Sequence, residues 1–347
     1  MSFVLPVHRL LAGTVFAALA VSAASAEPSL VKTAKVAPGL YEIVASPATG
    51  RVYVASAGTR EETGAKILAL DPQTLDVRET IDLGADAGFG LGLNSRTKTL
   101  YATRTRNGSV AAIDLTTGKV VATMAEGEKA HVRQVVVDEE ANRAYVSVFA
   151  RADEPSAIWV IDGATNRIAS VIGGLKGGVS GLVLDPAHNR LFASAMTTNE
   201  VHEIDLATGK VARSFPSGGK GAINLAYDAA GDRLFVTHQE SGNLVVLNAK
   251  DGAVLKAVPT GEGALGVSYD PARNMIYVAN RRAGWVTLVS GETLAPVANI
   301  VAGSMPNTVA VDRQTGNVYV SSKLKSAGRG GPPMIDPNGD TVTLIKP

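Results

Sequence analysis

Cysteine is absent from the 347-residue sequence, which excludes disulfides, thiolate metal sites, lipid-anchored cysteine and c-type haem attachment. Such a chain has to close its fold by strand pairing and packing alone. Net charge is nearly absent as well: 33 Lys+Arg stand against 32 Asp+Glu, so no global field draws in nucleic acid or an anionic membrane, and a polyanion site has to be local. Aromatics make up only 5%. Beyond the N-terminus nothing reaches the roughly 18 consecutive apolar residues of a membrane helix. Neither a haem nor a membrane span is expected.

The strong catalytic signatures are missing too. No Gly-x-Ser-x-Gly elbow occurs, and Gly218-Gly219-Lys220-Gly221 lacks the Ser or Thr of a phosphate-binding loop. Gly88-Phe89-Gly90-Leu91-Gly92 is followed by no helical pattern, so it is not a dinucleotide loop. Asp336-Pro337-Asn338-Gly339-Asp340 lacks the glycine position and distal Glu of a calcium loop and reads as a hairpin turn. The histidines have no metal-ligand spacing, although His131 and His238 both fall on the loop face expected below and could share a metal or acid-base role. No catalytic residue, resident metal or cofactor is assigned.

What is present begins with an N-terminal leader: His8-Arg9, the apolar stretch Leu10 to Val21, then Ala24-Ser25-Ala26. That is the pattern of a secretory signal peptide over 1–26, with cleavage after Ala26 and residues 27–347 as the mature domain. Loss of Arg9 brings the charges of the mature chain into balance. The 36 glycines and 16 prolines favour many short strands and tight turns.

An internal repeat then sets the fold class. An aromatic followed by a small or β-branched residue recurs at Tyr53-Val54, Tyr101-Ala102, Tyr145-Val146, Phe192-Ala193, Phe235-Val236, Tyr277-Val278 and Tyr319-Val320, spaced 42 to 48 residues apart. Each copy carries four strand patterns, the number in one propeller blade. The third strand ends at Asp71, Asp114, Asp162, Asp205 or Asn248, commonly before a Gly turn, which makes these polar residues turn formers rather than catalytic groups. The seventh copy stops at Val342-Thr343-Leu344-Ile345, while residues 29–37 read as a fourth strand without a blade. The expected architecture is all-β: a seven-bladed propeller of four-stranded blades, its ring closed by the N-terminal strand completing the last blade.

On these repeats, with Tyr277-Val278-Ala279-Asn280, Gly39-Leu40-Tyr41-Glu42, Leu70-Asp71-Pro72, Ile158-Trp159-Val160-Ile161-Asp162-Gly163, Asp270-Pro271-Ala272-Arg273-Asn274 and Pro306-Asn307, the chain resembles the YncE-like periplasmic YVTN-repeat β-propeller family over essentially the whole mature sequence. The resemblance implies a periplasmic binding scaffold, with single-stranded DNA as the associated ligand. Propellers host unrelated activities, so fold alone does not fix function.

Strand order places the second-to-third loops and the fourth-to-first connections on one face. There the innermost strands begin with Tyr41-Glu42, Phe89-Gly90, Arg133-Gln134, Ser180, Asn224, Leu265 and Asn307, a polar ring on an apolar funnel that suits a ligand mouth. The second-to-third loops hold nine basic residues (Arg60, Arg104, Arg106, Arg151, Arg281, Arg282, Lys323, Lys325, Arg329) against seven acidic ones (Glu61, Glu62, Asp153, Glu154, Glu200, Glu240, Asp336), so solvated loop charge is the plain alternative to a site. Guanidinium forks match phosphate or carboxylate and stack on bases. The expected ligand-binding residues are therefore Arg104, Arg133, Arg281 and Arg282, with Asn224 and Asn307 orienting a single-stranded nucleic acid or other anionic ligand. Two readings stand beside this one: a lactonase-like metal-dependent hydrolase or lyase at Glu42, Asn224 and Asn307, and a protein-protein interaction platform on the loop face. Trp285 beside Arg281-Arg282 could stack a base but opens a third strand, where packing between blades accounts for it.

Overall fold

The computed structural model describes residues 1, 28–59, 64–85, 88–127, 130–150, 154–325 and 334–347. The leader and its cleavage site lie outside the described residues, as do Arg60, Glu61, Glu62, Arg151, Asp153 and Arg329. The remainder forms seven four-stranded antiparallel sheets arranged as a ring of blades. Six are sequential meanders: blade one covers residues 40–82, blade two 88–125, blade three 132–175, blade four 179–216, blade five 222–259 and blade six 264–301. No helix among the described residues is long and apolar enough to cross a membrane.

Blade seven is composite. Its inner strands Met305–Val311, Val318–Lys323 and Thr341–Lys346 come from the C-terminus, and Ser29–Lys35 pairs with Thr341–Lys346 in the register Ser29↔Lys346 to Lys35↔Thr341. Asp340 secures this junction, because its Oδ1 accepts from the Gly39 and Leu324 backbone N–H groups. The expected closure is found, and it joins the two ends of the chain without a covalent link.

The core lies between blades. Tyr53, Ile67, Leu91, Leu100 and Ile113 form one cluster across blades one and two, and Leu40, Tyr319 and Leu344 belong to another across blades seven and one. The repeated aromatics Tyr101, Tyr277, Tyr319, Phe192 and Phe235 are among the largest fully buried side chains. Each is worth about 1.5–3 kcal/mol of burial, which is why the aromatic recurs once per blade.

Turns behave as their chemistry requires. Asp71 Oδ1 accepts from the Gln73 and Thr74 N–H groups, Asp162 Oδ1 from Ala164 and Thr165, and Asp205 Oδ1 from Ala207 and Thr208. Those bonds favour the carboxylate and hold Asp71 down to about 2. The Asp336 carboxylate is likewise engaged, accepting from the Ser304 hydroxyl and the Asn338 and Lys325 N–H groups, which accords with a turn. On the face opposite the long loops, Arg190 and Arg233 pair with Asp185 and Asp228 and reach the carbonyls of Ala249 and Gly291 in the next blade.

Candidate functional site: the mouth of the central channel

Every innermost strand carries a register shift near its start, for example between Leu40 and Ile43, Gly88 and Leu91, and Val132 and Val135. A bulge turns two adjacent side chains toward the axis where a regular strand would offer one. The third position of the Tyr-Val repeat fixes these bulges. Thr103, Ser147, Ser194, Thr237 and Ser321 each donate a hydroxyl hydrogen bond to a mouth residue of the next blade, at the carbonyls of Arg133, Ser180, Ile223, Leu265 and Tyr41. Blades one and six place Ala55 and Ala279 at that position. The inner strands approach so closely that a Cβ at Gly90 would lie 2.2 Å from the Arg133 carbonyl oxygen.

The mouth encloses a cavity of about 340 Å³. Every residue of the ring expected from the sequence lines it: Tyr41, Glu42, Phe89, Gly90, Arg133, Gln134, Ser180, Asn224, Leu265 and Asn307. Arg281 and His131, expected on the same face, line it as well, and the structure adds Thr105, Ile223 and Thr308. Tyr41 and Phe89 meet edge to face, with ring centres 4.1 Å apart.

Four cations act on Tyr41. Burial raises the Tyr41 hydroxyl above its ordinary value, and Arg281, Arg106 and Arg133 pull it back. Arg133 also lies over the Phe149 ring at 5.4 Å. Burial lowers the pKa of both Arg133 and Arg281, and Arg133 feels Arg281 as a like charge. Neither guanidinium forms an ion pair with a carboxylate among the described residues, and Arg281 Nε is buried there without a hydrogen-bond partner. Lys323, which sequence reasoning counted only as a loop charge, puts its Nζ 3.3 Å above the centre of the Tyr41 ring. Burial and then Arg281 bring that amine down to about 7, with Asp340 opposing, while the ring face itself favours the ammonium.

Glu42 is the one carboxyl among the lining residues, and burial pushes it up to about 8. It is therefore largely neutral at pH 7, and the cavity carries a net positive charge. Asn224 Nδ2 donates to the Leu265 carbonyl at 3.0 Å, and Asn307 is buried in the wall at 5% exposure.

Two expected arginines stand elsewhere. Arg104 turns away from the axis, donating to the Leu83 carbonyl at 2.9 Å and the Thr123 hydroxyl at 3.3 Å. Arg282 is exposed and lines a second cavity of about 530 Å³ between the loops of blades five and six, with Glu240 and Glu262. The two histidines are also separated: His131 lines the channel beside the Phe149 ring, but His238 is fully buried, with Nε2 on the Ser217 hydroxyl at 3.0 Å. Burial lowers His238 to about 4. Among the described residues no group of three or more His, Asp or Glu side chains could hold a metal ion. Trp285 donates Nε1 to the Thr260 carbonyl at 3.0 Å, between blades six and five.

The chain is thus a seven-bladed β-propeller scaffold with a cationic, aromatic-rimmed cavity at the loop-face end of its channel. It is similar to YncE of Escherichia coli O157:H7, 31% identical over 192 residues, and to YncE of Salmonella typhi, 32% identical over the same length, each match covering 53% of this chain and 53% of the relative. The chain spans about half the length of the curated relatives it matches. The likeness to YncE-type propellers expected from the sequence is found. No family model matches. Among solved structures, hydrazine synthase of Kuenenia stuttgartiensis superposes with a TM-score of 0.68 at 18% identity, covering 82% of this chain and 93% of that one, a likeness of fold alone.

Proposed function

We propose that this protein is an exported, periplasmic binding scaffold that holds an anionic ligand at the loop-face mouth of its channel. The observation that carries the reading is that Arg133 and Arg281 line one cavity with Tyr41 and neither has a carboxylate partner among the described residues. Two half-buried guanidiniums of like charge that line one cavity favour an external anion, which offsets the cost of their partial desolvation. Single-stranded DNA, the ligand implied by the family resemblance, fits as a terminal nucleotide, its phosphate on the arginines and its base on the Tyr41–Phe89 edge. The positive cavity disfavours the metal-dependent alternative, since Glu42 is the one lining carboxyl and holds its proton. Export rests on the leader sequence, and N-terminal sequencing of secreted protein should begin at Glu27.

Fluorescence anisotropy of a labelled single-stranded oligonucleotide tests the binding reading. Affinity is expected to fall steeply between low and physiological salt, and Arg281→Ala is expected to weaken it about tenfold, or about 1.4 kcal/mol. Salt-independent binding, or binding indifferent to Arg281, counts against the channel mouth.

A further inference from the structure

The residue just past the end of each second strand, four after the repeated aromatic, faces the channel: Thr105 and Arg281 hold this place in blades two and six, and both line the cavity. Blade seven puts Lys323 there, since Ser321 and Ala279 occupy matching registers opposite Thr308 and Gly266. Blades one to five carry uncharged residues at this place. Arg281 and Lys323 are therefore neighbours on adjoining blades, and the Lys323 amine lies 3.3 Å above the centre of the Tyr41 ring, itself part of the cavity wall.

Lys323 makes no ion pair among the described residues. Asp340, the carboxylate that acts on it, is committed to closing the ring, where it accepts from the Gly39 and Leu324 N–H groups. With Arg133, the mouth thus holds three half-buried cations about one aromatic ring, none with a carboxylate partner there. Arg281 Nε, moreover, is buried without any hydrogen-bond partner. A monoanion offsets one of the three charges. A dicarboxylate spreads its charge over two separated groups, whereas these cations surround one cavity of about 340 Å³. A phosphate monoester concentrates about −1.5 to −2 charges at pH 7 on three terminal oxygens, and guanidinium forks with a lysine point charge are the side chains that match it.

We propose that the channel mouth takes the dianionic terminal phosphate of a monoester, with Arg133, Arg281 and Lys323 as its three cationic contacts. This narrows, and rests on, the anionic-ligand reading above. It adds Lys323 to the site, and it ranks a terminal phosphate above the internal diesters of a nucleic-acid strand, each of which carries a single charge. The dianion favours the charged form of the Lys323 amine, as the ring face does. Tyr41, Phe89, Ile223 and Leu265 supply an apolar wall for the group esterified to the phosphate.

Calorimetry with phenyl phosphate and its monoanionic diester, methyl phenyl phosphate, at about pH 7.5, above the second phosphate pKa of about 6, isolates the second charge. Phenyl phosphate should bind at least about tenfold more tightly than the diester. Lys323→Met, which keeps an unbranched stem over the Tyr41 ring, should lower phenyl phosphate about tenfold and the diester by no more than about threefold, and Lys323→Arg should restore the preference. Where the preference holds, a 5′-phosphorylated oligonucleotide bound more tightly than its 5′-hydroxyl twin identifies a strand end as the source of the monoester, and twins of equal affinity identify a free small molecule. Equal affinity for phenyl phosphate and the diester, or a preference that Lys323→Met leaves intact, overturns the proposal while leaving the anion site in place. Absence of both, with salt-sensitive oligonucleotide binding retained, overturns the proposal alone; absence of oligonucleotide binding as well overturns both readings.

Discussion

At the scale of single residues, the channel is built from side chains held away from their preferred ionisation states. Burial pushes the Glu42 carboxyl from its ordinary value of about 4.5 up to about 8, so between those values the native state binds more protons than the unfolded one. By linkage, stability then falls as pH rises through that window, with the penalty complete above the folded value. Glu42→Gln should accordingly stabilise the protein at pH 8 by on the order of 2 kcal/mol and flatten the decline in urea-unfolding free energy between pH 5 and pH 8. An unchanged slope in the variant would place the carboxyl in contact with water. His238 acts in the opposite direction: lowered to about 4 by burial, it contributes stability that is lost as pH falls below about 6.5.

At the scale of the strand, much of the mouth was legible in the sequence. Each first strand begins just after a connection, and its opening residues have to face the axis, so Tyr41, Phe89, Arg133, Asn224 and Asn307 could be placed by position in the repeat. Side-chain direction turned on a single residue of register. Arg104 ends its strand opposite Gly88 and bends back to the Leu83 carbonyl, whereas Arg281 stands one residue past the equivalent position, Asn280, and lines the channel as Thr105 does in blade two. Lys323 stayed hidden because its role depends on lying over the Tyr41 ring, in the neighbouring blade. The role of the third repeat position emerged only from the hydrogen bonds of Thr103, Ser147, Ser194, Thr237 and Ser321. Thr237→Val should cost about 1 kcal/mol or somewhat more, since the Leu265 carbonyl loses its donor. Conversely, Ala279→Ser should supply the missing hydroxyl beside the Asn307 carbonyl and raise stability by about 0.5–1 kcal/mol. Chemical unfolding of the two variants checks both signs, and destabilisation by Ala279→Ser would show that blades six and seven are held differently there.

At the scale of the whole molecule, seven near-equivalent sheets produce one asymmetric mouth. Closure by Ser29–Lys35 removes the open edges of the ring, and the blades then bring Tyr41, Arg133 and Arg281 together from sequence positions far apart. Charge that is balanced over the chain, 33 Lys+Arg against 32 Asp+Glu, becomes locally positive because the arginines reach the axis and the one lining carboxyl keeps its proton. The most direct measurement is anomalous diffraction from crystals soaked in selenate, a tetrahedral dianion that marks an anion site without assuming the natural ligand. The account expects a selenium peak in the channel with oxygens at about 3 Å from the guanidinium nitrogens of both Arg133 and Arg281, and its disappearance in Arg281→Ala. Selenate confined to the outer surface, with the channel free of it, would contradict the account.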